Sequence, residues 1–231
     1  MPRREIDDMS DHNIVDEHVE HYIRTLLPKS TGLLGELERY AVENLVPIVQ
    51  PEIAQYLKVL MKVQKPVRIL EIGTAIGYSA TLMAEQMDRG VIETIELKME
   101  MVEKASETFE KLKLYKPDVE IIQHHGDAIS ILEQMNGEFD MIFIDASKGH
   151  YKAFFELCMP MLKPRGLIVS DNVLYKGMVA TNLYLVRRKI TIVKRMRTYL
   201  DFISNHPELD TTVLPMGDGL AISYKKEADG A

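Results

Sequence analysis

The sequence lacks the features that mark secreted and membrane-embedded proteins. Its 231 residues include one cysteine, Cys158, so no internal disulfide can form and a reducing compartment is favoured. No apolar run approaches the roughly 20 residues of a membrane span. The opening segment, MPRREIDDMS, contains acids and no apolar core, unlike a signal peptide. We therefore expect a cytoplasmic protein.

Acidic residues are missing from one long segment, although the whole chain carries a net charge of −7. No Asp or Glu occurs between Asn172 and Leu200, and setting aside the seven cations of this segment leaves −14 on the rest of the chain. These cations are Lys176, Arg187, Arg188, Lys189, Lys194, Arg195 and Arg197. Such an asymmetry is typical of a localised anion-binding face. The alternative is the solvated basic face of an amphipathic helix.

Short apolar segments alternate with helical segments over most of the chain. The predicted strands are 67–72, 91–96, 119–125, 139–145, 166–171, 211–216 and 220–225. The predicted helices are 12–27, 35–44, 51–62, a segment ending near 87, 99–114, 129–135, 150–162 and 183–205. Alternation of this kind predicts a mostly parallel sheet with helices on both faces. Five such units closed by an antiparallel hairpin predict the seven-stranded, Rossmann-like α/β fold of class I methyltransferases.

We expect a single methyltransferase domain over residues 1–231, because no repeat or low-complexity linker interrupts the chain. Within it, residues 1–11 are charged and are expected to form a mobile tail. Residues 12–62 would form a helical cap, and residues 63–231 would form the catalytic core.

The ends of the first three core strands offer groups that suit an adenosyl ligand. The first strand runs into Glu71 and the glycine turn at Gly73, where backbone can approach a ligand closely. Glu71 would repel a pyrophosphate but tolerates the ammonium and sulfonium of S-adenosylmethionine. Glu96 ends the second strand and suits a ribose diol, and Asp127 follows the third and suits an adenine amino group. Each acid alone could be a helix N-cap, but together they predict S-adenosylmethionine binding.

The next two strand ends offer hard oxygen ligands. Asp145 follows the fourth strand, and Asp171 and Asn172 follow the fifth. Because neighbouring parallel strands end at the same edge of the sheet, these residues predict a site for Mg²⁺ or Mn²⁺. Lys148 lies three residues beyond Asp145 and could accept a hydroxyl proton or stabilise an oxyanion. The alternatives are that both acids cap the following helices and that Lys148 is a surface lysine.

The segments EIGTAIGYS, GDA, DASKGHY and DNVLYKG resemble the signature blocks of metal-dependent O-methyltransferases of the catechol and caffeoyl-CoA type. The resemblance implies that the cofactor S-adenosylmethionine is bound by Val46, Glu71, Gly73, Ser79, Glu96, Asp127, Ala128 and Asp145. It further implies that Asp145, Asp171 and Asn172 bind the metal, that Lys148 is the catalytic base beside Asp145, and that the protein is a homodimer. Ser147 departs from the pattern, since many relatives have a second Asp there.

The segment RRKITIVKRMRTYLDFI resembles the bacterial tRNA 5-hydroxyuridine methyltransferases of the same family. This resemblance implies methylation of 5-hydroxyuridine to 5-methoxyuridine at the wobble position of the tRNA anticodon loop. The 5-hydroxyl and 4-carbonyl of that base are vicinal oxygens that could chelate one metal ion as a catechol does. The residues that would contact the nucleic acid are Arg187, Arg188, Lys189, Lys194, Arg195 and Arg197.

Two other functions remain open at this point. The first is the same chemistry on small catechol-like or caffeoyl-CoA-like substrates, for which binding should depend little on salt. The second is a noncatalytic binding module that keeps the fold as a partner subunit. An Asp145→Ala variant that kept all function would favour the binding module, whereas the intact set of acids and Lys148 favours an enzyme.

Overall fold

A computed structural model describes residues 14–227 and contains a central seven-stranded sheet covered by helices. The predicted tail, residues 1–11, lies outside the described residues. The strands are β1 (Arg68–Ile72), β2 (Gly90–Glu96), β3 (Val119–His125), β4 (Phe139–Ile144), β5 (Leu162–Ser170), β6 (Leu209–Leu214) and β7 (Leu220–Lys225). The helices are α1 (Glu17–Leu26), α2 (Gly32–Glu43), α3 (Pro51–Gln64), α4 (Tyr78–Gln86), α5 (Met99–Lys113), α6 (Ala128–Leu132), α7 (Tyr151–Cys158) and α8 (Ile190–Ser204).

The strand order confirms the predicted class I methyltransferase architecture. The strands lie in the order β3-β2-β1-β4-β5-β7-β6, and the first five in this order pair in parallel. β7 is antiparallel to both β5 and β6, so the chain closes with the expected hairpin. The carboxyl ends of all five parallel strands therefore meet along one edge of the sheet.

Alternation along the strands gives the sheet an apolar layer on each face. Ile69 and Phe143 belong to the cluster beneath the helices α2, α3 and α4, whereas Leu70 and Ile142 belong to the cluster beneath α7 and α8. Successive side chains of a strand point to opposite faces, so a strand buried on both sides is apolar throughout. The division into a helical cap and a catalytic core remains a prediction, although α2 and α3 share one apolar cluster with the sheet.

Several element boundaries differ from the sequence-based prediction, including the start of the first helix at Glu17 and the start of β5 at Leu162, and two later helices differ for a local reason. The helix predicted to end at 162 ends at Cys158 and continues as a 3-10 turn, because Pro160 has no backbone N–H for the next helical hydrogen bond. The helix predicted from 183 begins at Ile190, after a 3-10 turn at Arg187–Lys189. The Leu183 N–H is instead bound by the Thr181 hydroxyl at 3.1 Å, which favours a loop over a helical turn there.

Helix α8 is held against the sheet by its apolar side and by one buried polar contact. Met196, Tyr199 and Ile203 are almost fully buried in the cluster on that face. The Tyr199 hydroxyl lies 2.6 Å from the hydroxyl of Ser170, the last residue of β5. This contact connects the basic helix to the strand end that precedes Asp171. No helix among the described residues combines the length and apolar composition needed to cross a membrane.

We expect a Tyr199→Phe substitution to lower the free energy of unfolding by about 1–3 kcal/mol, because the buried Ser170 hydroxyl would lose its partner. A Ser170→Ala substitution in the same chain should recover part of this loss, since both polar groups are then absent. Urea unfolding of the two single variants and the double variant measures the coupling. Strictly additive effects would contradict an energetic role for this contact.

Candidate active site

A cavity of about 670 Å³ lies at the carboxyl edge of the parallel strands, where the sequence predicts a ligand. The residues that follow five strands all line it: Gly73 after β1, Glu96 at the end of β2, Asp127 after β3, Asp145 after β4 and Asp171 after β5. Of the other residues predicted to bind cofactor or metal, Ser79, Ala128, Lys148 and Asn172 also line this cavity. The structure thus brings most of the predicted site into one place.

The glycine turn after β1 is required by a close approach to the end of β4. Gly73 has a φ of +106°, and a Cβ placed there would lie 2.1 Å from the carbonyl oxygen of Asp145. Only glycine fits both the conformation and the space. The absence of a side chain therefore lets two adjacent strand ends form the base of the cavity.

Glu71, which the resemblance implies as a cofactor ligand, lies beneath the wall of the cavity. Its side chain is fully buried and is not among the residues that line the cavity. The carboxylate accepts hydrogen bonds from the hydroxyls of Ser79 and Thr94, each at 2.5 Å. Burial raises the pKa of Glu71 to about 7, and the two hydroxyl donors oppose that rise. Glu71 thereby fixes Ser79, which does line the cavity.

Glu96 and Asp127 use part of their hydrogen-bonding capacity within the protein. The Glu96 carboxylate accepts from the backbone N–H groups of Ala75 and Lys98, both at 2.9 Å. Asp127 accepts from the N–H of Ser130 at 3.0 Å and is the N-cap of α6, as the alternative interpretation of this acid holds. A carboxylate has about four lone-pair positions, so both acids can still accept hydrogen bonds from a ligand.

Val46 is placed beside the cavity rather than in its wall. Its N–H donates to the Ala41 carbonyl at 2.9 Å, and its side chain packs against the core cluster. The residues that do line the cavity from this segment are 47–50. The segment that follows Val46 therefore forms part of the cavity wall, and the role of Val46 in cofactor binding stays a prediction.

Asp145, Asp171 and Asn172 converge on the far end of the cavity from two neighbouring strands. Asp171 is buried, and its carboxylate accepts from the Asn172 N–H at 2.7 Å. Burial and the negative charge of Asp145 raise the pKa of Asp171 to about 8, and burial also raises the pKa of Asp145. A buried and a partly buried carboxylate that repel each other, beside an amide oxygen, form a donor set that fits a hard divalent cation. No cluster of three or more His, Cys, Asp or Glu side chains suited to a metal occurs within residues 14–227.

Lys148 lines the cavity together with Asp145 and Asp171. Its ammonium donates to Asn172 Oδ1 at 3.1 Å and lies 5.6 Å from the centre of the Tyr175 ring. Its positive charge lowers the pKa of both Asp145 and Asp171, opposing the effect of burial. The predicted base therefore lies within the site. Ser147, where many relatives have an acid, also lines the cavity but adds no charge.

The basic segment divides into exposed and inward-facing residues. Arg187, Arg188, Lys194 and Arg195 are exposed, and Lys189 is half-buried. Arg197 departs from the prediction that it contacts nucleic acid. Its guanidinium donates to the carbonyls of Met178 and Val179 and to the Asn182 side chain, at 2.8–3.1 Å. These bonds hold the loop before α8, so this cation has a structural role in the fold.

Several residues of the site were not selected from the sequence. His150 and Phe154 line the cavity, and the Tyr151 hydroxyl donates to the Asp171 carbonyl at 2.9 Å. His150 and Tyr151 belong to the DASKGHY block, but the sequence analysis assigns neither of them nor Phe154 a role in the site. Asp218 lies in the hairpin turn, and its carboxylate accepts from the backbone N–H of Lys176. The GDG turn was the only sequence signal for Asp218, and it predicts a hairpin but not a contact with the loop after β5.

Comparisons with known proteins agree with this geometry. The O-methyltransferase family profile matches residues 28–226. A catechol O-methyltransferase from Niastella koreensis is 31% identical over 226 residues, covering 93% of this chain and 99% of that protein. Caffeoyl-CoA O-methyltransferase 2 from Populus trichocarpa is 30% identical over 183 residues, covering 73% and 70%. An O-methyltransferase from Bacillus cereus, solved in complex with S-adenosylhomocysteine, is 27% identical with a TM-score of 0.77, covering 94% and 100%.

The raised pKa of Glu71 predicts a specific dependence of stability on pH. The folded protein keeps a proton on Glu71 up to about pH 7, whereas the unfolded chain releases it near pH 4.5. The resulting stabilisation is fully present below pH 4.5 and is lost as the pH rises through 7. We expect the free energy of unfolding to fall over this range by up to about 3 kcal/mol more in the unmodified protein than in Glu71→Gln.

Urea unfolding at a series of pH values measures this difference. The control is Glu120→Gln, which removes an exposed carboxyl of β3 and should keep the pH profile of the unmodified protein. Identical profiles for Glu71→Gln and the unmodified protein would show that Glu71 does not carry the proton.

Proposed function

The chain belongs to this O-methyltransferase family and is an S-adenosylmethionine-dependent enzyme, and we propose that, with Mg²⁺, it converts 5-hydroxyuridine to 5-methoxyuridine at the wobble position of tRNA. The observation that carries the tRNA assignment is the acid-free segment 172–200, in which the exposed cations Lys194 and Arg195 line a groove that shares Lys148 with the cavity. Phosphate contacts of this kind position a nucleic acid on a protein. A base in a single-stranded loop can enter a cavity without the opening of a duplex.

The cation is proposed from the donor set described above. Asp145, Asp171 and Asn172 would hold it, and Mn²⁺ has the same preference for oxygen ligands as Mg²⁺. A bound divalent cation supplies Lewis acidity that lowers the pKa of a substrate hydroxyl. Its positive charge would also offset the repulsion between the carboxylates of Asp145 and Asp171, whose pKa values Lys148 already lowers.

The protein's own residues would hold the reactants and move one proton. Lys148 in its neutral amine form would take the proton of the substrate hydroxyl, and the resulting ammonium would stabilise the oxyanion. An oxygen lone pair then forms the new bond to the methyl carbon while the carbon–sulfur bond breaks. The bonding electrons leave with sulfur, giving S-adenosylhomocysteine. The cavity walls contribute chiefly by aligning oxygen, carbon and sulfur.

Small catechol-like or caffeoyl-CoA-like molecules are the second candidate substrates. The names of the relatives from Niastella koreensis and Populus trichocarpa favour them. Binding of tRNA should weaken steeply as salt rises, because neutralised phosphates release counterions. Rapid methylation of a free catechol with no salt dependence, together with no turnover of tRNA, would assign the enzyme to this second class.

The proposal has two further parts. The tRNA substrate places the enzyme in the cytoplasm, consistent with the single cysteine, Cys158, which is buried and unpaired. A homodimer is also proposed, because the family resemblance implies one.

We expect tRNA from a strain that lacks this chain to accumulate 5-hydroxyuridine and to lose 5-methoxyuridine. Mass spectrometry of digested tRNA nucleosides measures both. Expression of the unmodified chain should restore 5-methoxyuridine, whereas Asp145→Asn, which removes one charge from the proposed ligand set, should not. An unchanged nucleoside profile in the deletion strain would sink the tRNA assignment.

We expect removal of divalent ions to abolish turnover while S-adenosylmethionine still binds, because the cation and the cofactor use mostly different residues. Turnover after treatment with a chelator, and cofactor binding by calorimetry, measure the two effects separately. Added Mg²⁺ should restore the activity of the unmodified enzyme, and Asp171→Asn should need a higher Mg²⁺ concentration. Undiminished turnover in excess chelator would rule out the metal role.

A further inference from the structure

A second, smaller cavity opens beside the active-site cavity and shares one residue with it. This groove has a volume of about 380 Å³ and lies between the beginning of α7 and the outer face of α8. Its cations are Lys148, Lys152, Lys194 and Arg195, and its one acid is Glu156. Lys148 also lines the larger cavity, so the two cavities lie on either side of the predicted catalytic base.

The cations of the groove are only partly neutralised by the protein. Lys152 lies 3.6 Å from Glu156 and 4.9 Å from the centre of the Phe202 ring. Lys194 has no ion-pair partner within residues 14–227, and Arg195 donates only one hydrogen bond, at 3.3 Å, to the Gly149 carbonyl. The groove therefore keeps an excess of positive charge in a chain whose net charge is −7. Such an excess favours binding of an anion.

The Arg195 guanidinium lies beside Gly149, in the loop between β4 and α7. A Cβ on Gly149 would lie 3.3 Å from the Arg195 guanidinium, closer than an ordinary contact. The bare backbone at this position lets the guanidinium lie against the segment that follows Asp145. An anion held by Arg195 would consequently lie next to the site of methyl transfer, and a planar guanidinium suits the oxygens of a phosphate.

The groove uses only one face of α8. Lys194, Arg195 and Thr198 line it, as their spacing on one side of a helix allows. Arg197 points elsewhere, since its donors are bound to the loop before the helix. Arg187 lies on the preceding 3-10 turn and is not among the lining residues. The groove therefore uses Lys194 and Arg195 but not the other cations of the segment 172–200.

We propose that this groove binds a backbone phosphate of single-stranded RNA, belonging to a nucleotide next to the one whose base is methylated. The inference rests on the proposed function and adds to it the position of the RNA backbone. Phosphodiester groups flank the methylated nucleotide within an RNA strand, and Lys148 lines both of the cavities that would hold the base and a phosphate. A free catechol carries no such group and leaves the groove unused.

The test compares a substrate with flanking phosphates and one without them. The substrates are a trinucleotide with 5-hydroxyuridine in the centre and the 5-hydroxyuridine nucleoside. The groove variant is Lys194→Ala/Arg195→Ala, and the control is Lys62→Ala/Lys113→Ala, which removes two exposed cations outside both cavities. The measured quantity is the ratio of kcat/KM for trinucleotide over nucleoside, with urea unfolding as a check on folding.

The groove variant should lower this ratio about tenfold or more, because each lost contact to a charged phosphate is worth about a factor of ten. It should also reduce the salt slope of trinucleotide binding by about 0.7, the value for one phosphate contact on a single strand. The control should keep both quantities.

An unchanged ratio in a folded groove variant would overturn the phosphate site while leaving methylation of 5-hydroxyuridine intact. If the unmodified enzyme methylates neither 5-hydroxyuridine substrate but does methylate a catechol, the proposed function fails and the RNA assignment fails with it. If kcat/KM of the groove variant falls tenfold only with a coenzyme A thioester as the substrate, the groove binds the phosphates of that small substrate. This result also contradicts the RNA proposal.

Discussion

The parallel pairing of β1, β4 and β5 is the constraint on which the site depends. Ile72 pairs with Ile144 and Ile144 pairs with Ser170, so three strands end in one row. The residues that follow are therefore forced to one edge, where they include a glycine turn and two acids. Side chains with no attraction for each other are held together by backbone hydrogen bonds and by the apolar layers on both faces of the sheet.

Strong local patterns made most of the fold predictable. The strand at 119–125 has the predicted bounds, because its residues pair along their whole length with β2. The strand-end acids were predictable for the same reason, since parallel strands fix where their ends lie. What local patterns do not contain is the direction of a long side chain. Arg197 was grouped with the exposed cations, but backbone carbonyls more than a dozen residues earlier bind it.

The remaining differences also come from contacts distant in sequence. Glu71 lies beneath the cavity because Ser79 and Thr94 supply the hydroxyls that satisfy its buried carboxylate. The sequence places Thr94 in the next strand, and only the sheet pairing brings it near. Tyr151 and Tyr199 were assigned to helices but not to the strand end, which they hold through the Asp171 carbonyl and the Ser170 hydroxyl.

The two sides of helix α8 have different roles. Its inner side, with Val193 and Met196, is buried and shapes the sheet edge, while its outer side meets solvent and the groove. Mutations on the outer side therefore need not disturb the packing that positions the reacting groups. A lineage could exchange one class of acceptor molecule for another by altering a few surface positions of this helix, with the methyl-transfer centre inherited unchanged.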